Sequence, residues 1–148
     1  DRGKRLLKEI KKYNLNFKQR SKNEIPDNKT NIYLFDTFGE TGLAISISNN
    51  VILGGTFVSV GGHNLIEAAQ YEKSIVVGPY YQKIKEVVDY FKRKNAIIVL
   101  NKTERLYEAL HALVYEKRKS QIIAKNAKRL TLSFKDKSYF IYKKIKEL

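Results

Sequence analysis

The residues that could do chemistry are concentrated in one glycine-rich stretch, V-I-L-G-G-T-F-V-S-V-G-G-H-N-L-I-E-A-A, at positions 51–69. It is typical of a strand, a glycine loop and a helix that starts at Asn64. Gly61 and Gly62 let the backbone turn sharply or come close to a ligand. Such a loop aims free backbone N–H groups and the positive end of the helix dipole at an anion. The pattern predicts an anion site, and phosphate is the expected ligand.

A structural interpretation explains part of the same stretch. Asn64 is a good N-cap, and Glu67 stands three residues later, which is the spacing of a capping box. In that motif the Glu side chain reaches back to the N–H of the cap residue and binds no ligand. Spacing alone leaves the anion site and the capping box open.

A second glycine-bearing loop, Thr37-Phe38-Gly39-Glu40, follows a strand predicted at Ile32–Phe35. Thr37 and Glu40 again have capping-box spacing, so a structural role is open for Glu40 as well. Loops that follow successive parallel strands meet at the carboxyl edge of a sheet, where open α/β sheets bind ligands. We therefore expect the two glycine loops to lie at one edge.

The remaining pattern alternates short apolar runs with amphipathic segments, which predicts an α/β fold with a Rossmann-like parallel sheet and helices on both faces. Strands are predicted at 15–20, 32–35, 51–53, 74–77 and 96–100. Helices are predicted at 1–14, at 43–47, from 64, at 82–94 and from a cap at Thr103.

The segment from 116 to 148 is basic and is predicted to form two helices broken near Phe134-Lys135-Asp136. The predicted organisation is therefore a body at residues 1–115 and a basic helical segment at 116–148. The end of this segment is rich in apolar residues, which include Tyr139, Phe140, Ile141, Tyr142, Ile145 and Leu148. We expect it to pack on the body or on a domain absent from this sequence, and membrane contact is the alternative.

Composition limits the function classes. The sequence has no cysteine and two histidines among 148 residues, which excludes disulfides and thiol chemistry. No structural zinc site, other metal or cofactor is expected. The sequence also contains no methionine, so we expect it to be a piece of a longer protein.

The net charge of +14 is unevenly distributed. Residues 1–30 contribute +6, residues 31–82 contribute −3 and residues 83–148 contribute +11. Because the basic residues avoid the glycine-rich stretch, the charge argues against a nucleic-acid groove there. An anionic membrane surface remains a candidate partner.

The dinucleotide fingerprint, the P-loop and the serine nucleophile elbow are all missing. Four other motifs occur in order: D-T-F-G-E-T-G at 36–42, G-G-T-F at 54–57, G-G-H-N-L-I-E at 61–67 and V-G-P-Y at 77–80. In this combination the chain resembles the bacterial 3-deoxy-D-manno-octulosonic acid (Kdo) transferases. These are two-domain glycosyltransferases of GT-B type that move Kdo from CMP-Kdo to a lipid A precursor. The resemblance runs from residue 1 to about residue 99.

The resemblance implies that the chain is the C-terminal, donor-binding half of such an enzyme, in lipopolysaccharide biosynthesis at the cytoplasmic face of the inner membrane. It implies no catalytic residue in this segment, because the acidic base and the acceptor site lie in the missing N-terminal domain of that family. Gly61, Gly62, His63 and Asn64 would surround the donor's phosphate and sugar, and Glu67 would bind the ribose hydroxyls. Phe38, Gly39 and Glu40 would line the base.

Two functions from different classes are therefore compatible with the sequence. The first is CMP-Kdo binding within a Kdo transferase, with the lipid A precursor, the N-terminal domain and the anionic membrane surface as further partners. The second is a non-catalytic basic α/β module that binds anionic lipid or nucleic acid through its lysine-rich flanks.

Overall fold

The computed structural model describes residues 2–62 and 64–146, and within them the side chains of residues 5–62 and 64–133. The chain forms two compact units, Asp1–Ala44 and Ile45–Leu148.

The first unit contains a helix and a pair of parallel strands. Its elements are α1 (Arg2–Lys12), β1 (Phe17–Gln19), β2 (Ile32–Leu34) and the start of α2 (Thr41–Ile47). Phe17 lies opposite Ile32 in the parallel pair. The connection between the strands is stabilised at its far end, where the backbone oxygen of Asn16 accepts hydrogen bonds from the N–H groups of Asn31 and Ile32 at 2.8 and 3.1 Å. The helix and both strands predicted for this region are confirmed.

The second unit has a three-stranded parallel sheet in the order β3-β4-β5. Its strands are β3 (Asn50–Leu53), β4 (Ser74–Val77) and β5 (Ile98–Val99). Its helices are α3 (Ile66–Gln70), α4 (Lys85–Arg93), α5 (Leu106–Tyr115) and α6 (Lys117–Lys146). The central strand, β4, is buried along its whole length, as expected for a parallel strand covered on both faces.

Successive side chains of β4 belong to different apolar clusters. Ile75 and Val77 pack in a cluster with Phe91 of α4, whereas Val76 packs with Leu113 of α5. Since neighbouring side chains of a strand point to opposite faces, helices cover both faces of this sheet. The predicted α/β fold with parallel strands and helices on both faces is confirmed.

Helix α6 packs on the same body. Ala127 contributes to the cluster around Phe91, and Ile123 contributes to the cluster around Leu113. A polar link adds to this contact, because the Ser74 hydroxyl donates to the backbone oxygen of Ser120 at 2.7 Å. The predicted division between a body at 1–115 and a segment at 116–148 stays a prediction.

Three details of the predicted secondary structure are wrong. α6 is a single helix from Lys117 to Lys146, because the sequence near Phe134 contains neither the glycine nor the proline that would break it. β5 is shorter than predicted. Thr103 makes no capping bond but opens a 3-10 turn, Thr103–Arg105, that leads into α5.

The apolar side chains from Tyr139 onward, for which packing or membrane contact was expected, lie outside the described side chains. Within residues 2–62 and 64–146, no helix combines the length and the apolar character needed to cross a membrane.

Candidate functional site

The loop after β3 is built around the buried side chain of Thr56. Its hydroxyl donates to the backbone oxygen of Leu53 at 2.6 Å and accepts the backbone N–H of Gly78 at 2.7 Å. The backbone oxygen of Thr56 accepts the N–H of Tyr80 at 2.9 Å. Thr56 thus joins the loops at the carboxyl ends of β3 and β4, which is the edge where the sequence predicts a site.

Two glycines are required by this packing. A Cβ on Gly78 would lie 2.4 Å from the backbone oxygen of Thr56, and a Cβ on Gly62 would lie 2.6 Å from its methyl carbon. Gly62 is also enclosed by Ile84, whose Cδ1 would be 2.7 Å from the added atom. The G-G-T-F, G-G-H-N and V-G-P-Y motifs therefore meet at one residue, Thr56.

Gly61 has a left-handed backbone conformation, with φ of 85°. That conformation is strained for residues with a Cβ, and the space beside Gly61 is taken by the side chain of Lys83. The Gly61 N–H donates to the backbone oxygen of Val58 at 3.4 Å. For the N–H groups of Gly62 and Asn64, no acceptor is found among the described residues. Within the described part of the chain, the loop therefore has two backbone donors without an acceptor, and their use by an anion stays a prediction.

Asn64 caps the following helix in a different register from the predicted one. Its side-chain oxygen accepts the N–H of Ile66 at 2.9 Å, and α3 begins at Ile66. The reciprocal bond of a capping box is not formed, because no described residue donates to the half-buried Glu67 carboxylate. Glu67 is thus free to accept hydrogen bonds from a ligand. His63, the remaining predicted residue of this loop, lies outside the described residues.

The dipole contribution expected from α3 is small. The helix has five residues, little more than one turn, and a helix dipole grows from many aligned peptide groups. Any anion bound at this loop would interact with individual N–H groups and side chains.

The second predicted loop lies in the first unit, where Glu40 is held by an arginine. Arg20 Nε lies 3.0 Å from both Glu40 oxygens, and Arg20 Nη2 lies 2.6 Å from Oε1. The Thr37 hydroxyl donates to the same carboxylate. α2 begins at Thr41, directly after Glu40, so the capping box considered for Thr37 and Glu40 is wrong.

These contacts keep both Glu40 and Arg20 ionised. The hydrogen bonds and charge of Arg20, with the bond from Thr37, lower the pKa of Glu40 to about 2. The same carboxylate raises the pKa of Arg20 above its already high ordinary value. Glu40 is therefore an ionised group whose acceptor positions are largely used within the protein.

The other two predicted residues of this loop are open to solvent. The Phe38 side chain is fully exposed, and Gly39 has φ of 81° with no atom near the position of an added Cβ. An exposed aromatic ring next to a left-handed glycine can stack on a planar ligand. Contact of Phe38, Gly39 and Glu40 with a base stays a prediction, as does the expectation that both loops share one edge.

Asp36, the first residue of the D-T-F-G-E-T-G motif, fixes the end of β1. It accepts Gln19 Nε2 at 2.6 Å, the Ser21 hydroxyl at 2.7 Å and the Ser21 N–H at 2.9 Å. These hydrogen bonds lower the pKa of Asp36 to about 2.

Sequence reasoning missed three residues that shape these loops: Thr56, Arg20 and Lys83. Thr56 lies inside a quoted motif and is a small polar residue between two apolar runs, which is a signal of a buried hydrogen bond. The partners of Arg20 and Lys83 lie about 20 residues away in the sequence, at Glu40 and Gly61, so no local pattern reveals them.

Known proteins resemble this chain in sequence and in fold. No protein-family model matches the chain. The chain is 34% identical over 114 residues to the 3-deoxy-D-manno-octulosonic acid transferase of Rickettsia typhi. This match covers 77% of the chain and 24% of the relative. The transferase of Haemophilus influenzae is 30% identical over 109 residues, or 73% of this chain and 26% of the relative. The chain thus spans about a quarter of the length of the curated relatives it matches.

A solved structure covers more of the chain. The crystal structure of the C-terminal CMP-Kdo binding domain of WaaA from Acinetobacter baumannii matches with a TM-score of 0.81 at 25% identity. The match covers 87% of this chain and 67% of that one. Sequence identifies the chain as a homologue of the 3-deoxy-D-manno-octulosonic acid transferases, and its fold matches the C-terminal domain of WaaA.

Proposed function

We propose that this chain binds CMP-Kdo as the donor-binding part of a glycosyltransferase that transfers Kdo to a lipid A precursor, at the cytoplasmic face of the inner membrane. The observation that carries the proposal is the match to a CMP-Kdo binding domain over 87% of the chain. Transfer of 3-deoxy-D-manno-octulosonic acid is the activity in the names of the curated relatives.

The geometry of the glycine loop supports this donor chemistry. The N–H groups of Gly62 and Asn64 have no acceptor among the described residues, and they suit a phosphate oxygen. The Glu67 carboxylate has no donor in the described part of the chain and can accept from both hydroxyls of a ribose. A nucleoside monophosphate brings a phosphate and a cis-diol together, so one ligand satisfies both groups.

The chemical step divides between two parts of the enzyme. When an acceptor hydroxyl attacks the anomeric carbon of Kdo, the bond from that carbon to the phosphate oxygen breaks and CMP leaves. This chain would hold CMP through that step, and an acidic base in the N-terminal domain would take the hydroxyl proton. The N-terminal domain would also carry the acceptor site, so the chain alone would bind the donor without turning it over.

Calorimetric titration of the full chain with CMP and with NAD tests the proposal. A cooperative thermal unfolding transition first establishes that the chain is folded. We expect saturable CMP binding and no NAD binding. A folded chain that binds NAD and not CMP would overturn the proposal. A folded chain that binds neither, but binds anionic vesicles or nucleic acid, would favour the basic binding module instead.

A further inference from the structure

The side chain of Lys83 lies across the glycine loop. Its Cγ, Cδ and Cε are 3.1, 2.9 and 3.4 Å from the position that a Cβ on Gly61 would take. Lys83 belongs to the 3-10 turn Gln82–Ile84 that precedes α4, and its side chain is exposed. The glycine at 61 therefore meets two demands, since it provides the left-handed turn and leaves space for the lysine stem.

The charge of Lys83 is not neutralised within the described part of the chain. No described carboxylate or carbonyl pairs with its ammonium group. The neighbouring cation, Lys85, is bound to Asp89 one helical turn later. Lys73, the only basic residue at positions 31–82, donates to the backbone oxygen of Ser46 at 2.8 Å. Lys83 thus brings an uncompensated positive charge to a stretch of the chain that is otherwise acidic.

The stem of Lys83 passes the start of the Gly61-Gly62 pair. Gly62, next to the residue that Lys83 crosses, has an N–H without an acceptor among the described residues. A lysine ammonium is a compact charge on a flexible stem, and together with backbone N–H groups it forms a common phosphate-binding arrangement.

We propose that Lys83 binds the phosphate group of the donor nucleotide at the Gly61-Gly62 loop. This inference rests on the proposed function. It adds a cationic partner for the phosphate, which the sequence pattern did not predict at this loop. Lys83 acts by binding and takes no part in bond making or proton transfer.

The test compares Lys83→Gln with Lys85→Gln in CMP titrations of the full chain. Glutamine keeps the Cγ and Cδ atoms that pack over Gly61, so the substitution removes the charge while it retains most of the contact. We expect Lys83→Gln to weaken CMP binding by about tenfold or more, since a charge-assisted hydrogen bond is lost. Lys85→Gln, which removes an equal charge two residues away, should leave CMP affinity unchanged.

A second comparison isolates the phosphate. Cytidine lacks it, so the difference in affinity between CMP and cytidine should shrink in Lys83→Gln and persist in Lys85→Gln. Equal CMP affinity in the wild-type chain and Lys83→Gln would overturn the inference and leave the proposed function intact. A folded wild-type chain that binds no CMP would overturn both.

Discussion

The hydroxyl of Thr56 accepts the backbone N–H of Gly78 at a distance of 2.7 Å, in a position where neither group reaches solvent. This bond fixes the end of β4 against the loop that follows β3. Because Gly62 packs on the methyl group of the same threonine, the bond also sets the height of the glycine loop above the sheet.

Replacing Thr56 with valine should destabilise the second unit by about 1 to 3 kcal/mol, because the Gly78 N–H stays buried and loses its acceptor. The measurement is chemical denaturation combined with amide hydrogen exchange at Gly78, which should become faster. Thr56→Ser is the control, since it keeps the hydroxyl and removes only the methyl group. Equal acceleration of exchange at Gly78 in both variants would contradict the prediction.

Gly78→Ala should cost about 1 to 3 kcal/mol of stability, because the added Cβ at 2.4 Å from the Thr56 oxygen forces the backbone to shift. Gly54→Ala is a matched control in the same region. No atom lies within 4 Å of its added Cβ, so a change of about 0.5 kcal/mol or less is expected. Urea denaturation of both variants measures the difference, and similar midpoints would count against the packing role of Gly78.

Glu67→Gln should leave thermal unfolding nearly unchanged, because the Glu67 carboxylate closes no capping box. Its affinity for CMP should fall by about 1 to 3 kcal/mol, since the amide offers one acceptor and presents a donor to the other ribose hydroxyl. Glu86→Gln, at an exposed position of α4, is the control for the loss of one negative charge. If Glu67→Gln binds CMP like the wild type, Glu67 does not contact the ribose.

Lowering the pH should reduce the free energy of unfolding, in part through Glu40. Its folded pKa of about 2 lies below the ordinary value of 4.5, so its stabilising effect is present above pH 4.5 and is lost as the pH falls towards 2. Arg20 remains charged throughout this window. Glu40→Gln should therefore flatten the decline of stability between these pH values, as measured by denaturation at a series of pH values. Parallel curves for Glu40→Gln and the wild type would show that Arg20 does not stabilise the carboxylate.

Strand β4 was predictable because burial on both faces selects a recognisable residue type. Ser-Ile-Val-Val at β4 is a short β-branched run, and the structure buries all of it. The helix that follows the glycine loop was also predictable from its apolar residues. Its first residue is Ile66, within two residues of the predicted start at Asn64, and helix ends are the least precisely predicted part of an element.

Local spacing failed where the partner lies far along the chain. Thr37 and Glu40 have the spacing of a capping box. Glu40 is instead bound by Arg20, which lies in the segment between β1 and β2. Local spacing also does not reveal Lys83, because its stem contacts Gly61 from the turn that follows β4. The glycine loop was predictable because its two glycine pairs lie close together in the sequence, where they indicate a turn after a strand.

The link between Asn50, Ser74 and Ser120 bears on the order of events during synthesis. The Ser120 hydroxyl reaches the Asn50 side chain at 3.3 Å across 70 residues of sequence, and the Ser74 hydroxyl donates to Ser120. While the ribosome is still translating the region before Ser120, the Ser74 hydroxyl lacks the acceptor that it uses in the folded unit, and the apolar surface later covered by Ile123 and Ala127 is open. The nascent sheet is thus expected to be prone to aggregation until α6 has emerged and packed on it.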